Sequence, residues 1–267
     1  MGILNGQVAI VTGGGRGFGR AIAMHLARAG AKVSVCSRTR AQLDETVNLI
    51  EEEGGTAYAV EADVTSRGDT ARVVHETGKR FGRISLLVNN AGVPDPFGPL
   101  GEIDPDRWWE AQEVHMRAPL LFIREVLPLM EAGGGGRIII VSAFGGTVVA
   151  PYMSAYCIGK AVQIRLAEYV DTEYRDRGIR AFAIDPGFVF TEMAQRTLNS
   201  ADAQHWLPDM MKRLQQKKQE PDADKDLVRC GDRCVDLASG RLDALSGKYM
   251  TMDDDVDGML RKVKGEV

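Results

Sequence analysis

The chain has 267 residues, a mass of 29.1 kDa and a formal net charge of −4, a length that suits one large α/β domain. Hydrophobic residues make up 44% and charged residues 26%, a globular balance that excludes a disordered chain. The slight acidity argues against a nucleic-acid partner, because surfaces that bind phosphate backbones are basic.

Four cysteines, Cys36, Cys157, Cys230 and Cys234, are too few and too scattered for a disulfide scaffold. The pair Cys230 and Cys234 lacks a second Cys or His pair to complete a zinc site, and His25, His75 and His205 have no ligand spacing, so no metal is expected. Residues 1–6 lack a basic leader and no run of 18 apolar residues occurs. The expectation is a cytoplasmic protein with reduced thiols and no membrane contact.

In chain order, short β-branched runs alternate with helical periodicity. The predicted strands are Gln7–Thr12, Lys32–Cys36, Thr56–Val60, Leu86–Val88, Arg137–Ser142 and Arg180–Ile184. Their continuously apolar character (VAIV, RIIIV) is that of strands buried on both faces. Between them, Ile22, Leu26 and Ala29, then Leu43, Val47 and Ile50, recur at helical spacing. Two longer helices are predicted at Pro105–Met130 and Pro151–Asp176. Regular βαβ alternation defines a single-domain, doubly wound parallel sheet of the Rossmann type with helices on both faces. Residues 1–267 thus read as one domain, with a mobile helical flap at about 191–220 and a solvated charged tail at about 251–267. A merely solvated surface helix is the alternative for the flap. In the tail, Asp253, Asp255, Asp257 and Gly258 match half of an EF-hand loop, but Lys264 stands where a bidentate Glu is required.

The first strand runs into Thr12, Gly13, Gly14, Gly15, Arg16, Gly17, Phe18 and Gly19, and a helix follows at once. Glycines let the backbone turn and approach a ligand, and the helix start offers unpaired N–H groups to a pyrophosphate. A flexible turn is the plainer alternative. The second strand ends in Ser37 and Arg38 with no acid until Asp44, whereas an NAD site wants an acid for the ribose hydroxyl. Arg16 and Arg38 suit a 2′-phosphate, so NADP(H) is expected and NAD(H) is the alternative.

Tyr156 and Lys160 stand one helical turn apart. An ammonium beside a phenol favours the phenolate and pulls its pKa down, making Tyr156 a candidate proton donor or acceptor. An exposed surface pair is the competing reading. Ser142, closing a strand at the ligand-binding edge, is positioned to hold a carbonyl oxygen.

With these motifs in order the chain resembles the classical short-chain dehydrogenase/reductases over roughly residues 5–250: Thr12–Gly19, Asp63 and Val64, Asn89 to Gly92, Ser142, Tyr156 with Lys160, and Pro186 and Gly187 through Val189 and Thr191. The resemblance implies that Asp63 and Val64 contact the adenine and that Asn89 braces the central strands. It also implies that Asn90, Ala91 and Gly92 pass close to the cofactor, that Lys160 binds the nicotinamide ribose, and that Pro186, Gly187, Val189 and Thr191 line the nicotinamide pocket. Where the family carries a catalytic Asn that holds a relay water, this chain has His115. A histidine can donate and accept, so His115 is a candidate substitute, with a purely structural histidine as the alternative.

The activity implied is an NADP(H)-dependent oxidoreductase that interconverts a ketone or aldehyde with an alcohol, Tyr156 handling the proton. An NAD(H)-dependent alcohol dehydrogenase and a non-catalytic dinucleotide sensor are the alternatives. Pro94, Phe144, Met153, Phe188 and Met193, with Phe97, Val148 and Trp206 nearby, give a pocket for an apolar-bodied carbonyl substrate, although core packing accounts for any one of them. The resemblance further implies a homotetramer or homodimer formed through the two long helices.

Overall fold

The computed structural model describes residues 2–266. Seven parallel strands form one sheet in the order β3-β2-β1-β4-β5-β6-β7. They are β1 Val8–Thr12, β2 Lys32–Ser37, β3 Thr56–Glu61, β4 Leu86–Asn89, β5 Gly136–Val141, β6 Ile179–Ile184 and β7 Tyr249–Met250. Successive residues of a strand point to opposite faces, and both faces are apolar. Ala9 and Val11 join one core with Ile139, Phe182 and Ile184, while Val8 and Ile10 join the other with Ile138, Ile140 and Ala181.

Eleven α-helices accompany the strands among the described residues: α1 Gly17–Arg28, α2 Arg40–Glu52, α3 Arg67–Phe81, α4 Pro105–Gln112, α5 Ala118–Ala132, α6 Ser154–Tyr174, α7 Glu192–Leu198, α8 Ala201–Trp206, α9 Pro208–Gln219, α10 Lys225–Ser239 and α11 Val256–Lys264. Ile22 and Leu26 of α1, Leu43 and Ile50 of α2, and Cys230 and Cys234 of α10 cover the first face. Val73 of α3, Phe122 and Val126 of α5 and Val170 of α6 cover the second. The four cysteines are buried free thiols. Among the described residues no helix is long and apolar enough to cross a membrane.

Strand order reverses between β1 and β4, and a ligand crevice forms where helices depart to opposite faces at such a point. Register brings the strand ends level there: Val11 pairs with Val88, Asn89 with Ile140 and Val141 with Ile184.

Two expectations are corrected, for the helix over Pro105–Met130 and for the tail. The helix predicted over Pro105–Met130 is interrupted by a π turn at Glu113–Arg117, and that turn carries His115. Pro119 has no N–H to return to the His115 carbonyl four residues earlier, so regular α-helical bonding fails at this point. The flap segment holds three helices, α7 to α9, and Ala194, Ala203, Met211 and Leu214 of these helices, with Leu207 between the last two, are buried around Phe97 in a third apolar cluster. The tail is not simply solvated. Asp255 caps α11 by accepting from the Gly258 N–H at 2.9 Å, and Val256 and Leu260 of that helix enter the first core.

Candidate active site

The loop between β1 and α1 is shaped by steric need. Gly13 and Gly17 have φ of +64° and +52°, values that favour glycine. A Cβ on Gly19 would fall 2.2 Å from the Gly13 carbonyl oxygen, so the loop closes only without one. No side chain caps α1 and no acid occupies its first turn, which leaves its N–H groups and positive dipole end free for an anion. Phe18 turns its ring into the first core, so at this position the backbone faces the crevice. Asn90 ties the loop to β4: its Nδ2 donates to the Thr12 carbonyl at 2.9 Å, and the Asn90 and Ala91 N–H groups donate to Thr12 Oγ1. The brace expected of Asn89 thus belongs to Asn90, whereas Asn89 is buried with Nδ2 unpartnered.

Ser37 and exposed Arg38 close β2 beside this loop, and a Cβ on Gly15 would lie 3.2 Å from Ser37 Oγ. Arg16 has its pKa lowered by burial and by the neighbouring cations Arg196 and Arg38, so three guanidinium groups share this corner. Arg16 also pairs with Glu192 of α7. A cavity of about 350 Å³ opens here, lined by Arg16, Gly17, Gln42, Val189, Thr191 and Glu192 among others. Asp63 turns its carboxylate inward, accepting from the Thr65 N–H at 2.9 Å, while Val64 packs at the edge of the second core.

Deeper in the crevice, Ser142, Tyr156, Lys160 and His115 come together. Ser142 Oγ donates to the Lys160 carbonyl at 2.8 Å. Lys160 Nζ donates to the Val141 carbonyl at 2.8 Å and to Gln163 Oε1 at 3.1 Å, and lies 5.7 Å from the centre of the Tyr156 ring. The His115 ring packs edge-on against the Tyr156 ring at 5.7 Å, and its Nε2 lies 2.9 Å from the Val93 carbonyl. A carbonyl only accepts, so Nε2 carries the proton and Nδ1 is a bare acceptor, buried without a partner. No hydrogen bond joins this ring to Lys160. A Cβ on Gly159 would fall 2.6 Å from His115 Cβ, so a glycine just before Lys160 is what lets the histidine seat here.

Burial governs the charges. It lowers the Lys160 ammonium to about 7, with the Asp185 carboxylate opposing, and lowers His115 to about 3, with Lys160 adding to the effect. Burial and the Asp185 charge push the Tyr156 phenol above its ordinary value. The expected lowering of the phenol by Lys160 is therefore corrected: the ammonium is engaged by Val141 and Gln163, and desolvation of the phenolate dominates.

The loop after β6 completes the wall. Gly187 has φ +90°, and a Cβ there would collide with Asp226, which accepts from the Phe188 N–H at 2.9 Å. Asp226 thereby shapes the segment from Pro186 to Val189, where Val189 is buried. Thr191 reaches over the glycine loop, its Cγ2 lying 3.3 Å from a Cβ position on Gly17. A Cβ position on Gly92 lies 3.4 Å from His115 Cε1, 3.7 Å from Lys160 Nζ and 3.7 Å from Met193 Cε. Of the other expected pocket residues, Pro94 is buried, Phe144 is exposed, and Met153 and Phe188 pack against the flap cluster. Sequence reasoning missed Gln163, Asp185, Asp226 and Arg196. The acid directly before Pro186 was the available sign for Asp185.

This fold and site define a dinucleotide-dependent oxidoreductase of the Rossmann type. The short chain dehydrogenase family profile matches residues 7–202, and the chain belongs to that family. It is 33% identical over 270 residues to a short chain dehydrogenase of Pseudocercospora fijiensis, covering 99% of this chain and 86% of the relative. A structure described as an NAD(P) dependent gluconate 5-dehydrogenase from Beutenbergia cavernae, with NADP bound, superposes with a TM-score of 0.80 at 29% identity, over 94% of this chain and 96% of that one. A 7α-hydroxysteroid dehydrogenase complexed with NADH and a 7-oxo bile acid superposes with a TM-score of 0.78 at 25% identity, over 93% of both chains. The start of α1, with no side-chain cap and no acid in its first turn behind a glycine turn, fits the phosphates of a dinucleotide of the kind that family binds.

Proposed function

We propose that the protein is an NADP(H)-dependent oxidoreductase that interconverts a carbonyl and an alcohol. The observation that carries this is the convergence of Ser142 and Tyr156 on Lys160, whose Nζ lies 3.7 Å from a Cβ position on Gly92. When bound, the nicotinamide supplies or takes the hydride. The chain's own residues then handle the oxygen. Ser142 turns its hydroxyl from the Lys160 carbonyl to the substrate oxygen, and the Tyr156 phenol, which keeps its proton at neutral pH, donates it as that oxygen gains charge. Lys160 holds the ribose hydroxyls and steadies the phenolate left behind. His115, neutral and edge-on, orients the Tyr156 ring.

Arg16, Arg38 and Arg196, with no acid at the end of β2, support a 2′-phosphate and hence NADP(H). Glu192 holds Arg16 in reserve and yields it to the phosphate. NAD(H) dependence is the second reading, favoured by the NADH complex of the steroid dehydrogenase. Arg38→Asp should lower the ratio of NADPH to NADH turnover, and an unchanged ratio would refute the phosphate assignment. Apolar side chains at the crevice, among them Met193, support a substrate with a hydrophobic body. Two copies or four assemble through α4, α5 and α6, which expose Trp109, Leu120, Leu129, Ile158 and Tyr169.

Tyr156→Phe tests the chemistry. It should cut turnover by about 10²-fold or more while NADPH binding persists. A variant as active as the parent would refute the assignment.

A further inference from the structure

Gln163 lies on α6, three residues beyond Lys160, and is 1% exposed. Its Oε1 accepts from Lys160 Nζ at 3.1 Å and its Nε2 donates to the His115 carbonyl at 3.0 Å. An ammonium only donates and a carbonyl only accepts, so the amide has one possible orientation. The His115 carbonyl is available because Pro119, four residues on, has no N–H to offer it. A side-chain amide thus spans from the lysine to the π turn.

Taking the roles of Tyr156 and Lys160 from the function proposed above, we infer that Gln163 is a positioning residue of the reaction: it clamps the Lys160 ammonium between β5 and the π turn and sustains its charge. Two of the three ammonium N–H groups are taken by Val141 and Gln163, which leaves the third for a hydroxyl in the space beside Gly92. The link from Lys160 to the π turn is therefore an amide, made to the backbone of His115 rather than to its ring. The titratable groups facing Lys160 are Tyr156 on its own helix, His115 in the π turn and Asp185 after β6, with Asp226 and Tyr249 behind Asp185. In a site where burial already works against the charge, an acceptor oxygen at 3.1 Å favours the ammonium over the free amine.

The test compares Gln163→Met, which keeps length and removes the acceptor, with Gln163→Glu, which supplies a charged one. The Lys160 side chain, labelled with 13C and 15N, is titrated by NMR in the full chain without cofactor, and kcat for carbonyl reduction is followed against pH with saturating NADPH. Gln163→Met should lower the Lys160 pKa by about one unit and Gln163→Glu should raise it by about as much. The alkaline limb of kcat should move the same way in each. A residue that merely fills space would not give shifts of opposite sign. If both variants titrate like the parent, or both shift in one direction, the clamp is refuted. Should Gln163→Met fail to fold, Gln163→Glu decides: a raised pKa supports the clamp and an unchanged one overturns it. A parent that reduces no carbonyl would undo the proposed function, while the titration would still judge the clamp.

Discussion

At the scale of single residues, His115 shows how burial sets chemistry. Its imidazole is neutral in the fold, with a pKa near 3, and titrates near 6.5 once unfolded. Between these values the unfolded chain binds the extra proton. The stability conferred by this residue is therefore complete above 6.5, falls as pH drops by up to about 1.4 kcal/mol per unit, and levels off below about 3. Urea unfolding of the parent and of His115→Asn at pH 7 and pH 5 should show a smaller acid loss in the variant. Equal losses would contradict the neutral burial. The principal side chains, Ser142, Tyr156, Lys160 and His115, were legible in the sequence because each belongs to a local motif or departs from one. Gln163, Asp226 and Arg196 were not, because their partners, the His115 carbonyl, the Phe188 N–H and the Arg16 corner, lie on other elements. The direction of the Tyr156 shift was missed for the same kind of reason. Spacing shows that Lys160 lies nearby but does not show what else holds it.

At the scale of elements, the strands were legible because parallel strands buried on both faces are continuously apolar. Six were read to within one or two residues of their ends, from Gln7–Thr12 to Arg180–Ile184. The seventh, Tyr249–Met250, is too short to carry a period. The π turn was hidden because its residues keep a helical composition, and only Pro119 marks the break in bonding. The C-terminal segment misled through its run of aspartates. Asp255 is a helix cap, and the helix it starts delivers Leu260, 8% exposed, to the core. Leu260→Ala should lower the unfolding free energy by about 2–4 kcal/mol in chemical denaturation. A change under about 0.5 kcal/mol would mean that α11 does not dock.

At the scale of the whole molecule, strand order explains why the function sits where it does. The reversal between β1 and β4 opens the crevice, and the glycine loop, the Gly92 turn and Ser142 all stand at carboxyl ends of the strands that border it. The face formed by α4, α5 and α6 is rich in exposed apolar side chains, as an interface between copies would be. Light scattering should give a mass two or four times 29.1 kDa, and a mass of one chain would contradict that assembly. The central claim is hydride transfer to a carbonyl with Tyr156 supplying the proton. Its most direct test is incubation with NADPH, and separately NADH, carrying deuterium at the nicotinamide C4, against a panel of apolar ketones, β-keto esters, quinones and aromatic aldehydes. The predicted result is deuterium on the carbinol carbon of the product, faster from NADPH and nearly lost in Tyr156→Phe. Deuterium transfer that proceeds equally well in Tyr156→Phe, or a protein that binds NADPH yet transfers deuterium to none of these carbonyls, would contradict it.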